Sequence, residues 1–206
     1  MRREMFLFLM IVLLSAASGV ARPTPDSNPE TDIRKVDFQN FTYHSSLCSQ
    51  EYGRKGIGKI VTVRNGEFKN KTVYFAVNTD GIIYADVTGD GREDAVVPVD
   101  CGATGANFSR AEVYIYSLQN GRATLMAGLS DKDMERDYRR SYTDAESYWG
   151  IAEKGLKAKT GGLEIDVMVD GPHASPKYIA TLEYSLKGKT LSLNGKPQRK
   201  PSPTTE

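Results

Sequence analysis

Between residues 60 and 193 the chain breaks into short apolar or alternating runs separated by turn pairs, which is the pattern of β-strands. The run Ile60-Val61-Thr62-Val63-Arg64 meets Asn65-Gly66 and returns through Glu67-Phe68. That pair predicts a type I′ hairpin, because both central residues of the turn take positive φ. Runs at 72–77, 81–85, 95–101, 112–118 and 123–129 predict further strands, with Asn120-Gly121 as a second hairpin turn between the last two. Strands are predicted again at 155–158, 163–169, 178–186 and 190–193. Leu163, Ile165, Val167 and Val169 alternate with Glu164, Asp166, Met168 and Asp170, so one face of that strand is buried and the other mostly wet. Between the two groups, residues 131–140 have helical propensity but no apolar stripe, which predicts a short surface helix or charged loop near 131–141. The fold class is mainly β: a single antiparallel sheet, a sandwich or a partly open barrel.

The two ends read differently. Arg2 and Arg3 precede an apolar stretch at 5–14 and small residues at 15–21, the layout of a secretory signal peptide with a small-x-small cleavage pattern at Gly19-Val20-Ala21. The apolar stretch is about half the roughly 20 residues that a membrane-spanning helix needs, so no membrane span is expected after cleavage. Residues 22–34 are rich in proline and polar side chains and are expected to form a flexible linker, and 196–206, with three prolines, a disordered tail. A single β-rich domain is expected over 35–195, exported to the periplasm or the medium.

Loss of residues 1–21 would take 27 basic and 26 acidic residues to 25 of each. A balanced chain offers no electrostatic footprint for a polyanion, so no nucleic acid partner is expected. Cys48 and Cys101 are the two cysteines, and in an oxidising compartment they are expected to pair. Nothing in the pattern sets the oligomeric state.

The segment 84–97 carries the sharpest chemistry. Calcium takes six to eight oxygens at about 2.3–2.6 Å, and a chain supplies them by curling so that alternate side chains converge. With Asp86 first, Thr88 is third, Asp90 fifth, the Arg92 carbonyl seventh and Asp94 ninth, and Gly91 occupies the sixth position, where the turn is sharpest. The twelfth position, a bidentate glutamate in an EF-hand, is Val97, so helix-loop-helix is rejected. The pattern resembles the Asp-x-Asn-x-Asp-Gly-x-x-Asp loop of FG-GAP and VCBS repeats, in which a loop between two strands holds calcium. Its single occurrence argues against a multi-blade propeller. The alternative is a metal-free turn in which Asp86 and Asp90 accept backbone N–H groups. If calcium binds, the neutral Thr88 places its affinity in the weak extracellular range of about 10⁻⁴–10⁻³ M, and its role is structural.

A wider likeness covers residues 84–129. The Asp-x-x-Gly-Asp-Gly-Arg-x-Asp loop, a Val-Val-x-Val-x-Cys strand and a Val-Tyr-Ile-Tyr strand are similar to the LppP/LprE type of exported bacterial proteins. The resemblance implies an exported bacterial β domain and supplies no catalytic residues. Those relatives are lipoproteins, and this chain lacks their lipid-attachment cysteine.

Other chemistry is sparse. His44 and His173 stand far apart without a metal-ligand spacing, and no Gly-x-Ser-x-Gly elbow is present. Asp166, Asp170 and Glu183 are candidates for a glycosidase-like carboxylate pair, although strand-face solubility explains them more simply. Phe38, Phe41, Tyr43, Tyr114, Tyr116, Tyr138, Tyr142, Tyr148 and Trp149 raise a carbohydrate-stacking platform as a candidate. Two functions follow: a non-enzymatic exported binding module for an envelope or carbohydrate ligand with a structural calcium loop, or a hydrolase acting on polysaccharide or peptide. No catalytic or cofactor-binding residue is assigned.

Overall fold

The apolar runs of residues 95–99 and 113–116 do not alternate because both faces of their strands are covered. A computed structural model describes residues 31–203, and in it these runs lie at the centre of a six-stranded antiparallel sheet sandwiched between two apolar clusters. The strands of that sheet are β3 (Glu67–Lys69), β4 (Val73–Val77), β5 (Ile83–Ala85), β6 (Asp94–Ala103), β7 (Ser109–Gln119) and β8 (Arg122–Ser130), with β5 pairing β6 beyond the end of β4. Five strands form the second antiparallel sheet: β9 (Tyr148–Lys159), β10 (Gly162–Val169), β11 (Tyr178–Lys187), β12 (Thr190–Leu193) and β13 (Gln198–Pro201). The arrangement is the sandwich among the expected forms.

One face of the first sheet carries Val96, Val113 and Ile115, which meet Leu163, Ile165 and Val167 of β10 in a shared core. The expected alternation of β10 is realised there. The helix α2 (Asp131–Ser141) closes this core with Met134 and Tyr138, both fully buried, so it is only half a surface helix. Its stripe is one residue wide at i and i+4, too narrow to stand out among the charges. Ser130 and Asp133 form a reciprocal capping box at its start.

The opposite face of the first sheet is covered by the N-terminal part of the chain: β1 (Thr42–His44) paired with β2 (Ile60–Thr62), and the short helix α1 (Leu47–Tyr52) between them. Here Tyr114, Tyr116, Tyr43, Phe38 and Phe41 pack ring against ring at 5.1–6.3 Å. The carbohydrate platform is thus corrected for these five residues. Four are buried core and Phe41 packs partly buried against them, because this face of the sheet must be covered, and such ring pairs contribute about 0.5–1.5 kcal/mol each beyond area burial. The Cys48–Cys101 disulfide ties α1 to β6 across 53 residues.

Both Asn-Gly turns adopt the expected positive φ, 52° and 81° at Asn65-Gly66 and 52° and 72° at Asn120-Gly121. The first links its strands through one bridge, Arg64 to Glu67, since β2 pairs with β1 instead. Two expectations at the ends are corrected. Ile33 is buried and begins a 3-10 turn capped by Asp32, so the linker becomes structured before residue 35. The tail is ordered where β13 pairs with β11, because Arg199 finds a site among three tyrosines. The expected signal peptide and cleavage site, residues 22–30 of the linker and 204–206 of the tail lie outside the described residues.

Candidate functional site

The Asp-rich loop joins β5 to β6 as expected, and its carboxylates turn onto the loop's own backbone. Asp86 Oδ1 accepts from the amides of Gly89 (2.7 Å) and Asp90 (3.0 Å), and its Oδ2 accepts from Gly91 (3.0 Å). Gly89 and Gly91 have φ of 77° and 82°, a region that glycine enters without a Cβ penalty. Asp90 takes the Arg92 amide at 2.9 Å and the Arg92 guanidinium at 2.6 Å, and these bonds hold its carboxyl below the usual range. Asp94, fully buried at the start of β6, accepts from the amides of Val87 (2.9 Å) and Thr88 (2.7 Å) through Oδ2.

Two oxygens are left over. Asp94 Oδ1 and Thr88 Oγ1 are buried without a hydrogen-bond partner. The Thr88 hydroxyl stands close enough to Asp90 to favour its ionised form without bonding to it. Oxygens of this kind are the ligand type a hard cation takes. Such a cation does not fit Asp90 as it stands, since Arg92 holds that carboxylate. Among the described residues no three Asp, Glu, His or Cys side chains stand together as a cation cage.

A second site is built by elements that sequence reasoning did not connect. Along the inner face of β6, Val96 is followed by Pro98 and Asp100. Pro98 and Asp100 both line a cleft of about 700 Å³ walled also by Ile83, Trp149, Ile151, Leu156 and Met168. Asp100 and Asp131 lie at its inner end. Asp131, 2% exposed, accepts the amide of Ala111 at 2.8 Å and the Tyr148 hydroxyl at 2.9 Å. Ala111 is the cross-strand partner of Asp100, which brings the two carboxyls together although they are far apart in sequence. Burial raises both carboxyls above the usual range, and at Asp131 the nearby Asp100 adds to the rise.

The outer wall of the cleft is a bulge in β9. Ile165 pairs with Leu156 and Val167 with Ile151, so residues 152–155 stand opposite Asp166 alone. A Cβ at Gly155 would lie 2.6 Å from the Asp166 carbonyl oxygen, so only glycine fits there. Lys154 is held at φ 55° and, with Glu153 and Asp80, forms the exposed rim. The Trp149 ring is fixed by donation from Nε1 to the Gly171 carbonyl at 3.0 Å and by the His173 ring at 5.1 Å.

Of the carboxylates weighed earlier for glycoside cleavage, Asp166 and Glu183 share a shallow depression on the outer face of the second sheet, where Asp166 accepts the Thr181 hydroxyl at 2.6 Å and Glu183 pairs with Lys159 at 2.7 Å. Asp170 is buried under Tyr138 and Arg199 instead. His44 lies on β1, apart from His173. Sequence reasoning missed Asp100, whose charge at the end of the apolar run Val96-Val97-Pro98-Val99 is the signal that could have pointed to the cleft, because charged residues are rare in such covered strands. No known protein family, curated protein or solved structure was found to match the chain.

Proposed function

We propose that the protein is an exported, non-enzymatic β domain of the LppP/LprE type that works as a binding module, with its ligand seated in the cleft between the two large sheets. The observation that carries this reading is the cleft, about 700 Å³ of mostly apolar wall with a rigid tryptophan and a few convergent polar groups. That combination is the usual make-up of a small-molecule site. The Cys48–Cys101 bridge supports export, because such bonds persist in oxidising compartments. The Asp-rich loop serves in this reading as a structural calcium site: Asp94 Oδ1 and Thr88 Oγ1 offer free oxygens, Asp86 and the Arg92 carbonyl complete the set, and Asp90 joins once Arg92 swings away.

A hydrolase remains the second reading, favoured by the raised carboxyls of Asp100 and Asp131, since general acid catalysis uses a carboxyl shifted upward by its surroundings. A panel of envelope glycans and peptides, read by thermal shift alongside chromogenic glycosidase and peptidase substrates, separates the two. Stabilisation without turnover supports the binding module. Turnover abolished by Asp100→Asn supports the hydrolase.

A further inference from the structure

The two carboxyls at the inner end of the cleft are an unbalanced arrangement. Among the described residues neither Asp100 nor Asp131 is in an ion pair with Lys or Arg, and the nearest guanidinium, Arg110, is engaged with Glu51 at 3.3 Å. Buried carboxylates without a counter-charge are costly unless neutralised or paired. The Ala111 amide and the Tyr148 hydroxyl satisfy Asp131 in part, and Asp100, partly exposed where it lines the cleft, has only the Ser109 side chain to favour its charged form. The rim adds Asp80 and Glu153 against Lys154, so the sum of side-chain charges around the cavity is negative. Its walls, by contrast, are apolar, with Trp149 fixed in place and Met168 and Ile151 beside it.

We infer that the cleft binds a compact cationic ligand, a primary ammonium carried on a body with a flat apolar face, with the ammonium between Asp100 and Asp131 and the body against Trp149. The inference rests on the cleft being the ligand site proposed above and adds the chemistry that selects the ligand. The ammonium donates to Asp100 and to a free lone pair of Asp131, replacing water with charge-assisted hydrogen bonds in desolvated surroundings. The apolar face covers the indole, which holds its orientation without a ligand and so loses little freedom on binding. An amino sugar and an aryl-alkyl amine share this chemistry, and the test has an arm for each.

Trp149 is the single tryptophan of the chain, so its fluorescence reports on the cleft alone. The disulfide-bonded protein is titrated with glucosamine disaccharide and with 2-phenylethylamine, and in parallel with their neutral counterparts, N,N′-diacetylchitobiose and 2-phenylethanol. Expected is a saturable change with at least one amine, at an affinity about tenfold or more above its neutral counterpart, a difference that Asp100→Asn removes. Asp131→Asn is the second variant, because an asparagine oxygen can still accept the Ala111 amide, and it should reduce the preference as well. Thermal unfolding confirms that each variant is folded. Equal binding of amine and neutral counterpart, or a preference that survives both variants, overturns the cationic ligand and leaves the cleft as a binding site. No Trp149 response to any of the four overturns the inference, and if the glycan and peptide panel then produces a ligand that also leaves Trp149 silent, the cleft falls with it.

Discussion

The Glu112 carboxylate accepts the backbone N–H of Cys48 at 2.7 Å across 64 residues, and the same carboxylate takes the amide and hydroxyl of Ser46 and the hydroxyl of Tyr114. A 1% exposed glutamate on β7 therefore anchors the start of α1, whose next attachment is the Cys48–Cys101 bridge. Removing the carboxylate leaves the buried Cys48 amide and Tyr114 hydroxyl unpaired, each costing about 1–3 kcal/mol. Glu112→Ala is expected to lower unfolding free energy in urea by about 3 kcal/mol or more.

Loss of the disulfide opens a loop of 53 residues, for which chain entropy gives on the order of 4 kcal/mol. Since the bridge and Glu112 fix one segment, combining Glu112→Ala with Cys48→Ser and Cys101→Ser should cost less than the separate losses added together. Additive losses in a double-mutant cycle would show that the two attachments act independently.

Arg199 explains why the tail is ordered. Its guanidinium lies 3.7 Å from the centre of the Tyr142 ring, donates to the Tyr138 hydroxyl at 2.8 Å and pairs with Asp144 at 2.9 Å and Asp170 at 3.1 Å. Arg199→Ala should destabilise by about 2 kcal/mol and release β13 to proteolysis, and Arg199→Lys should rescue little, because an ammonium cannot stack and fork at once. Limited proteolysis followed by intact mass reads both effects.

This site also shows what the sequence could and could not disclose. Gln198-Arg199-Lys200-Pro201 carries no strand signal, and its order comes from tyrosines more than twenty residues away, contacts that no local pattern encodes. The alternation of β10 and the Asn-Gly turns were legible because strand period and turn chemistry are local properties. The helix α1 and the strand β1 were missed because each is short and held by distant partners. The acidic loop was found in sequence, whereas the approach of Asp100 to Asp131 depends on the register of β6 against β7.

Stability should record that approach as a dependence on pH. Burial raises the Asp100 carboxyl in the folded state above its unfolded value, so its contribution is fully present below the unfolded pKa and lost as pH rises through the folded one. Asp100→Asn should match the parent protein in acid and exceed it in stability at neutral pH, the gap opening as pH rises through the raised pKa. Asp170 runs the other way. Burial pushes its carboxyl up, but bonds from Tyr138 and the amides of Glu146 and Ser147, with the Arg199 charge, outweigh burial and leave it lowered. Asp170→Asn should therefore destabilise at neutral pH and lose its effect as pH falls through the lowered pKa. Urea midpoints of parent and variants across pH test both signs.

For the Asp-rich loop, calcium at 100 times its dissociation constant should add about 2.7 kcal/mol to stability and raise the melting temperature by about 5–10 °C. Asp90→Ala should abolish that increment. Arg92→Gln should enlarge it at a given calcium concentration, since the cation no longer competes with the guanidinium for Asp90. Melting curves indifferent to millimolar calcium and to chelator in both parent and Arg92→Gln would identify the segment as a turn that closes on its own amides.

The bulge at residues 152–155 has a consequence beyond the cleft it walls. β9 is the terminal strand of its sheet and, at twelve residues, the longest strand of the described chain. A continuous free edge of that length would offer its unpaired amides and carbonyls to a second molecule. By stepping out of line at Ala152–Gly155, with charged Glu153 and Lys154 at the crest, the strand presents two short edges in place of one long one. A chain folding among its own copies is thereby protected against edge-to-edge aggregation.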